Sequence, residues 1–246
     1  MDQASGPRSD GDKSAQAPIQ RVQENLVARQ EKRLLAWMCA RMPAWVTPDQ
    51  LTLLALFGAL MIGAGYALSF YGLGWLWLSI AGYVVHWVGD STDGSLARYR
   101  GIERPRYGYF LDHSCDGLAL VMMAAGAAMG PFFRVDAVFI ALAGYLLLAV
   151  HAFLSVKVLG ELKLSHAGAG PTEARLILIA LTFVMMALGP DAGRGLVAGY
   201  SGYDIFVAVA GVILIAIFAV QTFLTARRLG REEPPRNHEW TARERT

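Results

Sequence analysis

The sequence predicts an all-α integral membrane protein, six transmembrane helices preceded by an interfacial amphipathic helix, on three observations. Hydrophobic residues make up 54% of the 246 and charged residues only 17%, against about 25% charged in ordinary soluble chains. Mean hydropathy is +0.37. Six segments approach the ~20 mostly apolar residues that a helix needs to cross a bilayer, where backbone N–H and C=O groups find partners only inside the helix. The net charge of +2 is too small to indicate a nucleic-acid partner, and two cysteines, Cys39 and Cys115, are too few for a disulfide framework. No short apolar segment follows a basic start, so no cleaved signal peptide is expected.

Taken in order, residues 1–19 are rich in Ser, Gly, Asp and Gln and lack an apolar face, so a disordered cytoplasmic tail is expected. Residues 20–45 set Leu26, Leu34, Leu35, Trp37 and Met38 among Arg29, Lys32, Arg33 and Arg41, a pattern suited to the headgroup layer. Thr47-Pro48 then reads as an N-cap followed by Pro at the first helical position. It opens a six-span domain over 46–228. Expected spans are 51–70, 71–89, 107–130, 137–156, 172–190 and 205–225. The first, fourth and sixth contain no Asp, Glu, Lys or Arg, whereas the third has acids in its first turns and the fifth begins with Glu173 and Arg175. Residues 229–246, with Pro234-Pro235 and many charges, read as a second disordered tail.

Lys and Arg concentrate in cytoplasmic segments. With six spans, both ends and the connections after spans two and four share one side. That side holds 20 of the 22 basic residues, and only Arg134 and Arg194 fall on the other. Both termini are therefore expected in the cytoplasm, with the protein in the inner membrane of a bacterium.

The informative stretch runs from Gly89 to Gly117. Asp90 and Asp93 are three residues apart and Asp112 and Asp116 four, so each pair shares one face of its helix, with Cβ atoms about 5–6 Å apart. Spans two and three are expected to be antiparallel neighbours across a short loop, and counting at ~1.5 Å per residue from that loop brings Asp93 level with Asp112 and Asp90 level with Asp116. Four carboxylates gathered below the membrane surface repel one another and lose hydration, and cations must neutralise them or they protonate. All-oxygen ligands point to two Mg²⁺ or Mn²⁺ ions, the arrangement that clamps a transferring phosphoryl group. Gly94, Ala97 and Gly108 would let a flat base and its phosphates approach the backbone, and Arg98 offers phosphate a planar donor.

Asp90-x2-Asp93-Gly94-x2-Ala97-Arg98-x9-Gly108-x3-Asp112-x3-Asp116 resembles the signature of the CDP-alcohol phosphotransferase family at every fixed position. Eight residues at about 5% each match by chance roughly 10⁻¹⁰ of the time per start position, so coincidence is set aside. The resemblance spans about three quarters of the chain and includes Thr47-Pro48-Asp49-Gln50-Leu51-Thr52, with Asp49 where the family usually has Asn.

That resemblance implies a cytoplasm-facing site in which an alcohol hydroxyl displaces CMP from a CDP-linked donor. Position by position, Asp90, Asp93, Asp112 and Asp116 become metal ligands or their neighbours, and Gly94, Ala97, Arg98 and Gly108 line the cytidine and phosphates. Asp116 is the default base, with His113 its competitor. The Asp-His-x-Cys-Asp order, with Gly170-Pro171-Thr172-Glu173, is similar to the choline and ethanolamine phosphotransferase branch, where a CDP-amino-alcohol donates, diacylglycerol accepts and the Glu reaches the site. The reverse arrangement, CDP-diacylglycerol donating to a soluble alcohol, stays open. So do a cation or small-solute transporter, since intramembrane carboxylates also line ion paths, and a catalytically idle scaffold. The family resemblance also implies a homodimer, for which the small residues of 124–128 are a candidate seam.

Blander readings attach to other residues. Arg100, Arg104 and Arg106 read as orientation signals, His86 and His151 as histidines bonded inside the bundle, Cys115 as a small packing residue, and Trp45, Trp75 and Trp77 as interfacial aromatics.

Overall fold

The computed structural model describes residues 20–21, 28–159, 161–162, 171–193, 197 and 199–233. The expected tail over 1–19 and the part of the other beyond 233 lie outside these. Among the described residues the chain forms seven α-helices: α1 (Ala28–Arg41), α2 (Pro48–Leu68), α3 (Leu76–Arg100), α4 (Pro105–Met129), α5 (Val135–Leu159), α6 (Pro171–Leu188) and α7 (Gly202–Glu232). The one extended pairing described between separate segments sets Gln20–Arg21 beside Glu161–Leu162.

Local chemistry sets the helix ends. Thr47 and Gln50 form a reciprocal cap, the Gln50 N–H donating to Thr47 Oγ1 at 3.3 Å and the Thr47 N–H to Gln50 Oε1 at 2.9 Å, with Pro48 in the first turn. α3 stops at Gly101, whose φ of 66° is the left-handed conformation that glycine reaches without a Cβ clash. Pro105 opens α4. Ser201 and Asp204 form a second reciprocal cap on α7, and the Asp204 carboxylate also accepts the Arg134 backbone N–H at 2.7 Å, tying the α4–α5 turn to α7.

Three expectations are corrected. The amphipathic helix is shorter than 20–45: it ends at Arg41 because Pro43 disfavours helical backbone at the residue before it, and residues 20–21 are extended. Residues 22–27 lie outside the description. The helix expected over 71–89 begins at Leu76 rather than at 71, since two 3₁₀ turns, Ser69–Tyr71 and Leu73–Trp75, make the connection. α7 continues to Glu232, so 229–232 are helical, with Arg228 Nε donating to Glu232 Oε1 at 2.8 Å.

α2 is the central post. α3 and α4 both pack on α2 rather than on one another, α5 packs on α7 and α4, and α6 lies against α3. Glycines permit these approaches: a Cβ on Gly89 would lie 2.4 Å from Ala55 N, and one on Gly126 2.1 Å from Gly63 O. Gly126 is thereby used within the chain. A buried polar tie joins three helices, Tyr66 Oη lying 3.1 Å from Tyr83 Oη and 2.7 Å from Thr182 Oγ1. Because α3 and α4 share α2 as their support, a cleft is left between them.

The outer surface is apolar. Leu53, Phe57 and Leu60 on α2, Phe139 and Leu154 on α5, and Val212, Ile213 and Phe223 on α7 are all exposed. A water-soluble protein rarely shows such continuous apolar surface, and lipid accommodates it. Among the described residues, four helices are long and apolar enough to cross a membrane: α2 with its 3₁₀ extension, α5, α6 and α7. α3 and α4, at 25 residues each, are equally long but carry the acids of the motif. The protein is an integral membrane protein.

Candidate active site

The cleft widens into a cavity of about 1810 Å³ whose wall draws on all seven helices. Its polar end is built by the two halves of the motif. Asp90, Asp93, Gly94, Ala97 and Arg98 face it from α3, and Gly108, Asp112, His113 and Asp116 from α4. A crevice of about 10 Å³ at its base is lined by all four aspartates together with Thr52, His86 and Cys115. Room of that size suits an ion or a single water rather than an organic molecule.

Each acid is held differently. Asp93, 8% exposed, accepts from the Thr52 hydroxyl at 2.8 Å. Asp90 accepts from the Arg175 guanidinium on α6. His113 Nδ1 stands 3.5 Å from an Asp112 oxygen and 3.7 Å from an Asp116 oxygen. Its ring is clamped, stacked on Phe153 at 4.9 Å between centroids and met edge-on by Tyr109 at 4.3 Å. Across the crevice Asp93 lies near Asp112 and Asp116 near Asp90, close enough to interact by charge. The levels counted along the sequence therefore meet, although the two helices are not packed neighbours.

One ligand atom from each of Asp112, His113 and Asp116 lies within 4.8 Å of the others, a group able to hold a metal ion. Carboxylate oxygens of opposite helices line the same ion-sized space, and this donor set fits a hard divalent cation such as Mg²⁺ or Mn²⁺.

The nucleotide candidates differ from the packing glycines. A Cβ on Gly94 would meet only the end of the Arg98 side chain, at 3.4 Å, and one on Gly108 nothing within 4 Å. Fold packing does not require glycine at either place. Arg98 Nη2 donates to Ser95 Oγ at 3.2 Å on the exposed rim.

Several placements escape the sequence. Glu173, expected to reach the site, does not line the cavity, whereas Thr172, Ala174 and Arg175 do. Residues two apart on a helix point roughly 200° apart, so a first turn that offers Arg175 to Asp90 turns Glu173 away. Arg104, expected as an orientation signal, binds both Asp49 oxygens at 2.7 and 2.8 Å and covers the Tyr107 ring at 4.0 Å. Asp at position 49 gives that guanidinium a charged partner, both carboxylate oxygens accepting from the one nitrogen Nη2. Arg100 holds the α1–α2 connection through the carbonyls of Met42 at 3.2 Å and Pro43 at 2.8 Å. His151 is bonded, 3.3 Å from Ser155 Oγ on its own helix and 3.3 Å from Thr222 Oγ1 on α7, the second contact at an exposed position. His86 is buried, 6% exposed, and its Nδ1 has no hydrogen-bond partner among the described residues.

A helical membrane bundle with carboxylates from two helices lining an ion-sized crevice beneath a large cavity has the layout of a membrane phosphotransferase. The sequence model of the family described as CDP-alcohol phosphatidyltransferase matches residues 45–226, and the chain belongs to that family. It is a transferase of substituted phosphate groups acting in phospholipid synthesis, and divalent metal ions serve the family's reaction. Family membership does not favour the transporter reading. Among solved structures, the chain resembles the phosphatidylinositol phosphate synthase of Mycobacterium tuberculosis, determined with CDP-DAG bound. Identity is 22% and the TM-score 0.54, over 78% of this chain and 93% of that one, a likeness of fold. No curated protein matches in sequence.

Proposed function

We propose that this enzyme transfers a substituted phosphate group from a CDP-linked donor to an alcohol hydroxyl, with the four aspartates holding two Mg²⁺ or Mn²⁺ ions on the diphosphate. The observation that carries this reading is the convergence of Asp90, Asp93, Asp112 and Asp116 on one crevice at the base of a cavity able to take a nucleotide and a lipid. The acceptor oxygen attacks the phosphorus distal to cytidine, the bond from that phosphorus to the bridging oxygen breaks, and CMP leaves with that oxygen. When bound, the ions supply charge neutralisation for the phosphates. Gly94, Ala97, Arg98 and Gly108 bind cytidine and the diphosphate. Asp116, whose side chain is 47% exposed, takes the hydroxyl proton. His113, with 10% side-chain exposure and an enclosed Nε2, steadies Asp112 and Asp116 instead. No step is assigned to Glu173.

For the finer assignment we read a CDP-amino-alcohol as donor and diacylglycerol as acceptor, on the Asp-His-x-Cys-Asp order within α4. Incubating membranes with labelled CDP-choline, CDP-ethanolamine or CDP-diacylglycerol and a panel of alcohols tests it. Label is expected in lipid from the CDP-amino-alcohols. Label from CDP-diacylglycerol alone, the compound bound by the synthase of similar fold, overturns the donor assignment.

The same reading takes α3 and α4 as membrane-crossing, which makes six spans over 46–228. It lays α1, with Leu34 and Trp37 exposed and Arg41 over the Trp37 ring at 4.3 Å, on the membrane surface within 20–45. It puts the site and both ends of the chain, 1–19 and 233–246, on the cytoplasmic face of a bacterial inner membrane. A homodimer is part of the proposal, with Gly126 outside its seam.

Gly94→Val and Gly108→Val give a test of the nucleotide wall. With open space beside Gly108 and only the movable end of the Arg98 side chain beside Gly94, each variant is expected to keep the wild-type melting profile. Filling the space a ligand occupies should raise the KM for the CDP-linked donor about tenfold or more. A KM unchanged in both variants removes the two glycines from the site.

A further inference from the structure

The first turn of α1 reaches the cavity wall through Glu31. One carboxylate oxygen, Oε1, accepts from the Trp87 indole N–H of α3 at 2.9 Å and from the Thr172 hydroxyl of α6 at 2.8 Å. Trp87 lies about one helical turn before Asp90, and Thr172 about one turn before Arg175. Arg175 in turn donates to Asp90. These contacts close a ring through three helices, from Glu31 to Trp87, along α3 to Asp90, across to Arg175, back along α6 to Thr172 and again to Glu31.

We infer that Glu31 is a positioning residue for the transfer reaction: it fixes the first turn of α6 against α3 and so sets Arg175 opposite Asp90. The inference rests on the reading of Asp90 as part of the site. A carboxylate accepting two donors makes stronger contacts than a neutral acceptor in the same place. Its loss leaves an indole N–H and a hydroxyl without their acceptor at a partly buried junction, and α6 is free to move until they find others. A displacement of about 1 Å at a reacting centre costs up to about 10²-fold in rate. α1 thereby acts on the site as well as on the membrane surface.

The purified full chain in lipid nanodiscs tests this with Glu31→Ala, Glu31→Gln, Thr172→Val and the Glu31→Ala/Thr172→Val double variant, read by CMP release and by amide hydrogen exchange over 172–179. Glu31→Ala and Thr172→Val should lower kcat by about 10-fold or more and speed exchange in α6. Glu31→Gln should recover most of both, because one amide oxygen can accept from both donors. The double variant should be no slower than Glu31→Ala, since both substitutions break one linkage. If Glu31→Ala does not fold, Trp87→Phe and Thr172→Val each remove one donor and carry the same comparison. Wild-type kcat and exchange in Glu31→Ala, or in both single-donor variants, overturn the inference, as does a glutamine variant no better than alanine. Failure of the functional reading is distinct: the wild type then releases no CMP from any CDP-linked donor, while exchange in α6 still reports on the ring.

Discussion

Asp112→Asn and Asp116→Asn are each expected to abolish CMP release, by at least about 10³-fold, while the protein still inserts and folds. Several kcal/mol of transition-state stabilisation come from divalent ions on a transferring phosphoryl group, and about 1.4 kcal/mol corresponds to tenfold in rate. Asn keeps the volume and one acceptor oxygen but removes a negative charge, so the loss falls on cation binding, and at Asp116 also on proton acceptance, rather than on packing. The apo fold should not suffer. Asp112 faces Asp93 and Asp116 faces Asp90 across the crevice, and removing one carboxylate from such a set relieves repulsion between like charges. Turnover, the gel-filtration profile and the melting midpoint of purified variants provide the check. Normal turnover in either variant sinks the metal assignment, whereas a lost midpoint shows that the acid holds up the fold.

What the sequence reveals is local. Thr47-Pro48 gives the start of α2, because caps and prolines act within a turn of where they stand; Gly101 and Pro105 bound α3 and α4 by the same chemistry, outside the expected limits of 89 and 107, because apolar length alone does not mark a helix end. The carboxylate levels are legible locally too: rise per residue is constant along a helix. Relations between helices are not. That α3 and α4 both lean on α2 is set by where glycines allow backbones to touch, Gly89 at Ala55 and Gly126 at Gly63, pairs more than thirty residues apart with no motif joining them. Arg175 carried no sequence signal beyond its charge, and only the rotation of α6 shows that it, rather than Glu173, faces the acids. Arg100, Arg104 and Glu31 are equally silent, since a charged residue near a helix end fits lipid headgroups, water or a distant partner alike.

Gly89→Ala is expected to damage activity without touching a single site residue. A Cβ at that position would lie 2.4 Å from Ala55 N and 2.5 Å from Leu51 O, backbone atoms of α2 that cannot rotate aside as a side chain could. Ordinary contact begins near 3.4 Å, so α3 must retreat from α2 by about 1 Å. Replacing a helical glycine with alanine gains about 0.5–1 kcal/mol of backbone propensity, but overpacking of this kind costs typically 1–3 kcal/mol, so the melting midpoint should fall. The larger effect is on rate. Asp90 and Asp93 travel with α3, whereas Asp112 and Asp116 stay with α4, which keeps its own grip on α2 through Gly63 and Gly126. Separating the two carboxylate pairs by about 1 Å should cost up to about 10²-fold in CMP release. Raising Mg²⁺ or Mn²⁺ restores part of a binding defect and none of a misalignment, so a metal titration of the variant separates the two causes. Gly94→Val supplies the contrast, because it lies on the same helix with only the movable end of the Arg98 side chain beside it and should leave the midpoint intact. If Gly89→Ala matches the wild type in both midpoint and turnover, the close approach of α3 to α2 does not set the spacing of the acids.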